Sequence, residues 1–194
     1  MPNLSPLDRN AVEELKPIFD GVEAQFGFIP NSMLTMARKP DLVKALVPMI
    51  AAVFGPGSVS QEIKRLAAFG VSHQAGCQYC VAHMTGGAVH EGMADDKIAG
   101  LCELSPPDLS KAEHAVLTVA RGAANNPNTV SSEQFDGLKI HFDDTQIVEI
   151  VAVISLMGFF NRWNDTMATQ LEQPSIDTVT SILPAGVWTV GKHG

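Results

Sequence analysis

The chain has 194 residues, 45% hydrophobic and 18% charged, enough to bury a real core. Its 13 Lys and Arg against 21 Asp and Glu leave a formal charge of -8, which speaks against nucleic acid and polybasic membrane surfaces as partners. Met1–Asp8 carries no Lys-rich signal region, and no apolar run reaches the ~18 residues of a membrane span. Three cysteines make no disulfide framework, so a reducing cytoplasm is the expected setting.

Nearly every informative segment has helical periodicity. Asp8 to Gln25 places Val12, Leu15, Phe19 and Val22 on one stripe, with Pro17 inside as a bend or split. Gly27–Asn31 reads as a loop and Ser32 as the cap of a helix that Lys39-Pro40 ends. Asp41 to Val53 is a helix burying Leu42, Ala45, Leu46, Met49 and Ile50, closed by Gly55-Pro56-Gly57. Ser58 with Gln61 fits a capping box for a helix over Val59–Gln74. Gly76 breaks that helix, and the next runs from about Cys77 to His90, with Gly92 as a left-handed stop. A short helix through Ile98 and Leu101 ends before Pro106-Pro107. Further capping boxes stand at Ser110/Glu113, Ser131/Gln134 and Asp143/Gln146, the last opening the longest helix, to about Leu171. A final helix, Ser175 to Leu183, leads into a tail through Trp188. No segment reads as a strand; the expected class is all-α.

Chemistry concentrates in Gly76-Cys77-Gln78-Tyr79-Cys80-Val81-Ala82-His83. A Cys-x-x-Cys pair on the first turn of a helix brings two sulfurs together where free N–H groups and the macrodipole make a thiol more acid. Helical spacing brings His83 near Cys80, to take a proton or to hold a thiolate. A zinc site needs two further ligands from Cys102, His73 or His90, and lacks a second Cys-x-x-Cys. Haem attachment wants His where Val81 stands. The plainer alternative is a pair of buried cysteines packing as small apolar residues. His90, His114 and His141 read as surface or helix-end residues, and Cys102 as a buried apolar one. Asn161, Arg162, Asn164 and Asp165 form a polar cluster in an apolar helix, suited to a pocket, an interface or a structural network.

Cys77–His83, the preceding Ser60-Gln61-Glu62 and the following Gly92–Ile98 resemble the carboxymuconolactone decarboxylase and alkylhydroperoxidase D-like superfamily. Gly27–Asn31 followed by Lys39–Leu42 resembles the same superfamily, and the tail Val187–His193 is similar to that of its peroxidase-related members. The resemblance implies one all-helical domain over residues 1–194, a core of 28–172 with a C-terminal arm of 173–194. It further implies an alkylhydroperoxidase D-like bundle with the Cys pair at a helix start, assembled as a homo-oligomer (trimer or hexamer). The implied site cycles a disulfide, reducing a hydroperoxide or other small molecule with a thiol reductant or partner redox protein, and needs no metal or cofactor.

By position, Cys80 is similar to the cysteine oxidised to sulfenic acid and Cys77 to the partner that closes the disulfide. The residues alone favour the first cysteine as nucleophile, so both assignments stand. Two departures concern the proton relay. The family's histidine lies four residues after the second cysteine, where Met84 stands; His83 is one residue early, ~100° away on a helix. The family's glutamate falls at Arg65, which can stabilise a thiolate or clamp a carboxylate but cannot relay protons. Glu62 and His73 flank that position and are the substitutes expected near the cysteines. The site set is therefore Cys77, Cys80, His83, His73 and Glu62. The alternative function is a non-redox decarboxylase or lyase acting on a small organic acid, and a third is an oligomeric binding protein.

Overall fold

Helix follows helix in the computed structural model, which describes residues 1–103 and 109–194. A 3-10 turn at Glu13–Leu15 leads into α1 (Lys16–Phe26), followed by α2 (Asn31–Met36), α3 (Pro40–Phe54), α4 (Gln61–Gln74) and α5 (Gln78–His90). Then come α6 (Asp95–Gly100), α7 (Lys111–Ala124), α8 (Ser132–Lys139), α9 (Asp144–Met167) and α10 (Gln173–Ile182), with a closing 3-10 turn at Gly191–His193. Among the described residues the only extended pairing is an isolated bridge between Ala185 and Trp188, so the class is all-α as expected.

The core is built on α4, whose residues Leu66 to Ser72 are all buried, packed against α5, α7 and α9. Gly70 lets α7 approach closely: a Cβ there would lie 2.6 Å from Leu117 Cδ1. A second cluster joins Leu15 and Phe19 to Ile29, Met36, Val43 and Leu46, and reaches α9 at Leu156. Lys64 is buried too, with Nζ donating to the Gly55 carbonyl (2.7 Å) and lying 3.2 Å from Glu149, so its charge is paired.

Three of the four expected capping boxes form, at Ser110/Glu113, Ser131/Gln134 and Asp143/Gln146. The fourth does not. Ser60 caps α4, because the Ser58 hydroxyl and N–H are both taken by Glu149, while Gln61 turns to the Phe54 carbonyl. Pro17 opens α1 rather than bending it, and Pro30, not Ser32, precedes α2. Met49 and Ala45 are exposed, and Val43 takes the buried position on α3. Helix α9 stops at Ala168, a non-glycine residue in the left-handed region (φ 46), three residues before the expected Leu171. Helix α6 ends at Gly100; the expected stop at Pro106-Pro107 lies outside the described residues.

Among the described residues one helix, α9, is long and apolar enough to cross a membrane by length and composition, although it holds no continuous apolar run of ~18 residues. Its Ile147, Ile150, Val153, Ile154 and Met157 are instead buried in the core around α4, as in a central bundle helix.

Candidate active site

The reversal between α4 and α5 is made over Ala75, Gly76 and Cys77. Gly76 has φ +73, a conformation that side chains other than glycine's resist, and its N–H bonds the His73 carbonyl at 3.0 Å. Cys77 thereby becomes the N-cap of α5, and its Sγ accepts the Cys80 N–H at 3.4 Å, the role a Ser or Asp oxygen usually fills. Both cysteines are free thiols and buried, Cys77 at 0% and Cys80 at 2% exposure. Asn164 of α9 donates its side-chain N–H to Cys80 Sγ at 3.5 Å. Burial, reinforced by the adjoining Cys77 sulfur, pushes the Cys80 thiol well above its ordinary pKa, against the Asn164 amide. The acidity expected of a helix start is therefore outweighed at Cys80 by desolvation.

His83 turns toward the segment after α9. Its Nε2 lies 2.8 Å from Glu172 Oε2, and its ring stacks on Tyr79 (4.5 Å) with Phe28 edge-on at 5.8 Å. The other Glu172 oxygen accepts the Tyr79 hydroxyl at 2.9 Å and the Asn31 N–H, and the Tyr79 oxygen in turn accepts from Ser32 N–H. Burial raises the Glu172 carboxyl, yet the His83 contact and the N–H donors outweigh it and hold the group below its usual range.

On the other side of Tyr79 stands His193, fully buried and delivered by the C-terminal arm. Its Nδ1 bonds the Thr169 carbonyl at 2.8 Å, so that nitrogen carries a hydrogen. Its Nε2 lies 3.3 Å from Asp165 Oδ1, and Cys77 Sγ, an Asp165 oxygen and a His193 nitrogen all fall within 4.8 Å of one another. Lys192 Nζ is 3.4 Å from the same carboxylate oxygen. The Cys77 thiol, the His193 imidazole and the Asp165 carboxylate thus form one cluster, with the Lys192 ammonium on the carboxylate. The arm is fastened by Trp188 Nε1 donating to the Gln78 carbonyl (3.0 Å) and by Leu171 N–H donating to the His193 carbonyl (2.8 Å).

The sequence-expected set is thus only partly gathered. Cys77, Cys80 and His83 lie on α5, with His83 directed at Glu172 and Tyr79. Glu62 instead binds Lys97 of α6 at 2.7 Å, and its side chain is 51% exposed. The His73 ring stacks on Phe69, and burial together with Arg121 lowers its pKa. Arg65 pairs with Glu91 (3.2 Å) and lies over the Phe54 ring, with no contact to either cysteine among the described residues. Cys102 is half-buried, its thiol pushed up to about 11 by burial. Sequence reasoning missed Glu172, and it noted His193 only as part of a tail similar to that of peroxidase-related proteins, with no role in the site. The polar cluster on α9 was the available signal, and two of its members, Asn164 and Asp165, do face the cysteines.

The profile of the carboxymuconolactone decarboxylase family matches residues 40–121, the span that carries the cysteine pair. Among solved structures, the debrominase Bmp8 is similar at 32% identity, over 92% of this chain and 96% of that one, with a TM-score of 0.83. A cysteine-to-alanine variant of that debrominase, in complex with 2,3,4-tribromopyrrole, aligns over the same shares at 31% identity and the same TM-score. An uncharacterized peroxidase-related protein from Ralstonia eutropha JMP134, described as an alkylhydroperoxidase AhpD core, shares the fold at 21% identity, over 88% of this chain and 94% of that one (TM-score 0.74). No curated protein matches the chain.

Proposed function

Because the chain belongs to the carboxymuconolactone decarboxylase and alkylhydroperoxidase D-like superfamily, we propose that it is a thiol-dependent reductase that cycles Cys77 and Cys80 through a disulfide. The observation that carries this reading is the pair itself: two free, buried sulfurs in contact at the start of α5.

With a hydroperoxide the chemistry is a two-electron transfer. A thiolate forms an S–O bond to the terminal oxygen while the O–O bond breaks, and the leaving alkoxide takes a proton to become an alcohol. The second cysteine attacks the sulfenic sulfur, an S–S bond forms, and water leaves with the thiol's proton. An external dithiol restores both thiols and is itself oxidised to a disulfide. His83 and Glu172 form a hydrogen-bonded acid–base pair one turn beyond Cys80 on α5. Exposed Val148, Val151 and Phe159 along α9 suit contacts between copies of this chain in a homo-oligomer.

The resemblance to the debrominase favours a second reading with the same machinery. It extends over nearly the whole chain and is higher in identity than that to the peroxidase-related protein. Here a thiolate would take the bromine of a bromopyrrole, the ring carbon would gain a proton, and the second cysteine would displace bromide as the disulfide forms.

One experiment separates the readings. Wild type, the Cys77→Ser and Cys80→Ser variants and the double variant are supplied with dithiothreitol and a hydroperoxide, a bromopyrrole or a small organic acid, following peroxide loss, bromide release or loss of the acid. Turnover dependent on both cysteines with one substrate class identifies it. Turnover of a small organic acid that persists in the double variant would point instead to the non-redox lyase, and redox chemistry would be rejected.

A further inference from the structure

We propose that His193, brought in by the C-terminal arm, is the base that ionises Cys77, and that Cys77 is the attacking sulfur while Cys80 closes the disulfide. This rests on the thiol-reductase reading above, and it reverses the order implied by the family resemblance.

The argument begins with hydrogens. His193 Nδ1 faces a carbonyl at 2.8 Å and must donate, which in a neutral ring leaves Nε2 bare. That bare nitrogen would set its lone pair against a carboxylate oxygen of Asp165 at 3.3 Å. A proton on Nε2 turns the clash into a charge-assisted hydrogen bond, and the Cys77 sulfur, within 4.8 Å of a His193 ring nitrogen and of an Asp165 oxygen, is a source for it. Transfer across that distance needs a small closure or one bridging water, common in a site without substrate.

The charges then balance. Cys77 thiolate, His193 imidazolium, Asp165 carboxylate and Lys192 ammonium sum to zero, so the fully buried sulfur does not carry an uncompensated charge. The other titratable groups nearby do not supply a base for Cys77. Tyr79 is a phenol engaged with Glu172, His83 is engaged with the same carboxylate, and Cys80 is itself a buried thiol. Cys80 has no imidazole contact among the described residues; its sulfur accepts only an amide N–H from Asn164, which suits a group that waits as a thiol.

In the reaction the Cys77 S–H proton moves to His193 Nε2, the thiolate forms the S–O bond as the O–O bond breaks, and Nε2–H returns the proton to the leaving alkoxide. Atoms and charge balance with hydroperoxide as the oxidant and the external dithiol as the reductant.

The test uses the full-length, prereduced protein at neutral pH and reads the ultraviolet absorbance of the thiolate, which needs no substrate. Wild type and Cys80→Ser are expected to carry the band, and Cys77→Ser and His193→Gln to lack it. The part of the tryptophan fluorescence that Trp188→Phe removes, leaving that of Trp163, reports whether the arm stays docked in His193→Gln. Asp165→Asn, which leaves the arm's backbone contacts in place, is expected to weaken the same band. With a hydroperoxide and a dimedone trap, Cys80→Ser should accumulate sulfenic acid on Cys77, and adding His193→Gln should slow that step by about a hundredfold. A band that survives His193→Gln and Asp165→Asn, or that is present in Cys77→Ser and absent from Cys80→Ser, overturns the proposal. If the band behaves as expected while neither hydroperoxide nor bromopyrrole reacts, the substrate reading fails and the assignment of His193 stands.

Discussion

His83 and Glu172 are separated by 89 positions in the sequence and by 2.8 Å in space. The contact fastens the segment after α9 to α5 one turn beyond the cysteine pair. It also gives the buried Glu172 carboxylate, whose side chain is 9% exposed, its principal partner.

Glu172→Gln is expected to destabilise the protein at neutral pH by roughly 1–3 kcal/mol, the scale of a buried charge-assisted hydrogen bond. The native carboxyl is held below its unfolded value, so its contribution is complete above the ordinary carboxylate range and is lost as pH falls through the depressed native pKa. Urea unfolding of wild type and variant should therefore differ most at neutral pH and converge on acidification. A gap that widens in acid would contradict the assignment.

Glu149→Ala should cost about 3 kcal/mol, because it leaves the ammonium of Lys64, 1% exposed, with only the Gly55 carbonyl. Hydrogen bonds from the Ser58 hydroxyl and N–H, with help from Lys64, hold Glu149 down to about 2. Its share of stability therefore erodes only as pH falls from the ordinary carboxylate range toward that value. Denaturant midpoints measured across that window check both the size and the sign.

Gly76→Ala and Gly21→Ala should move stability in opposite directions. Neither added Cβ meets an atom within 4 Å, so only backbone conformation differs. At Gly76 the left-handed φ of +73 makes alanine cost about 1–2 kcal/mol. Within α1, alanine at position 21 should add about 0.5–1 kcal/mol. Thermal melts of the two variants side by side decide it.

Trp188→Phe removes the hydrogen bond from the arm to the Gln78 carbonyl. Local opening of the arm should become easier, and alkylation of the prereduced pair by iodoacetamide should speed up about tenfold, the equivalent of ~1.4 kcal/mol. Cys102, which serves as an internal control, should alkylate at an unchanged rate. An unaltered rate at Cys77 and Cys80 would mean that the arm does not limit access to the pair.

Local signals in the sequence are legible where their partners are local. Ser110/Glu113, Ser131/Gln134 and Asp143/Gln146 need only their own first turn, and all three form. The Ser58/Gln61 box fails because Glu149, 91 positions away, competes for the same serine. The cysteine pair and its place at a helix start were legible for the same local reason, through the glycine before it and the spacing within it. Its proton-handling neighbours were not. A relay drawn along one helical face pointed to Glu62 and His73, whereas Glu172 and His193 come from segments that sequence spacing cannot bring to α5 without the fold. The direction of the Cys80 shift was equally hidden, since a helix start favours a thiolate and only packing reveals how much water has been removed from it.

Ala168 joins these distant groups at one point. The carbonyl of Asn164 accepts the N–H groups of Ala168 and Thr169, while the Asn164 side chain holds Cys80. Just past this left-handed corner come the Thr169 carbonyl that orients His193 and the Glu172 carboxylate that holds His83. A shift of this single corner would therefore reach both histidines and one sulfur together. Separate adjustment of the two halves of the site has to come from side chains, because their backbone anchor is shared.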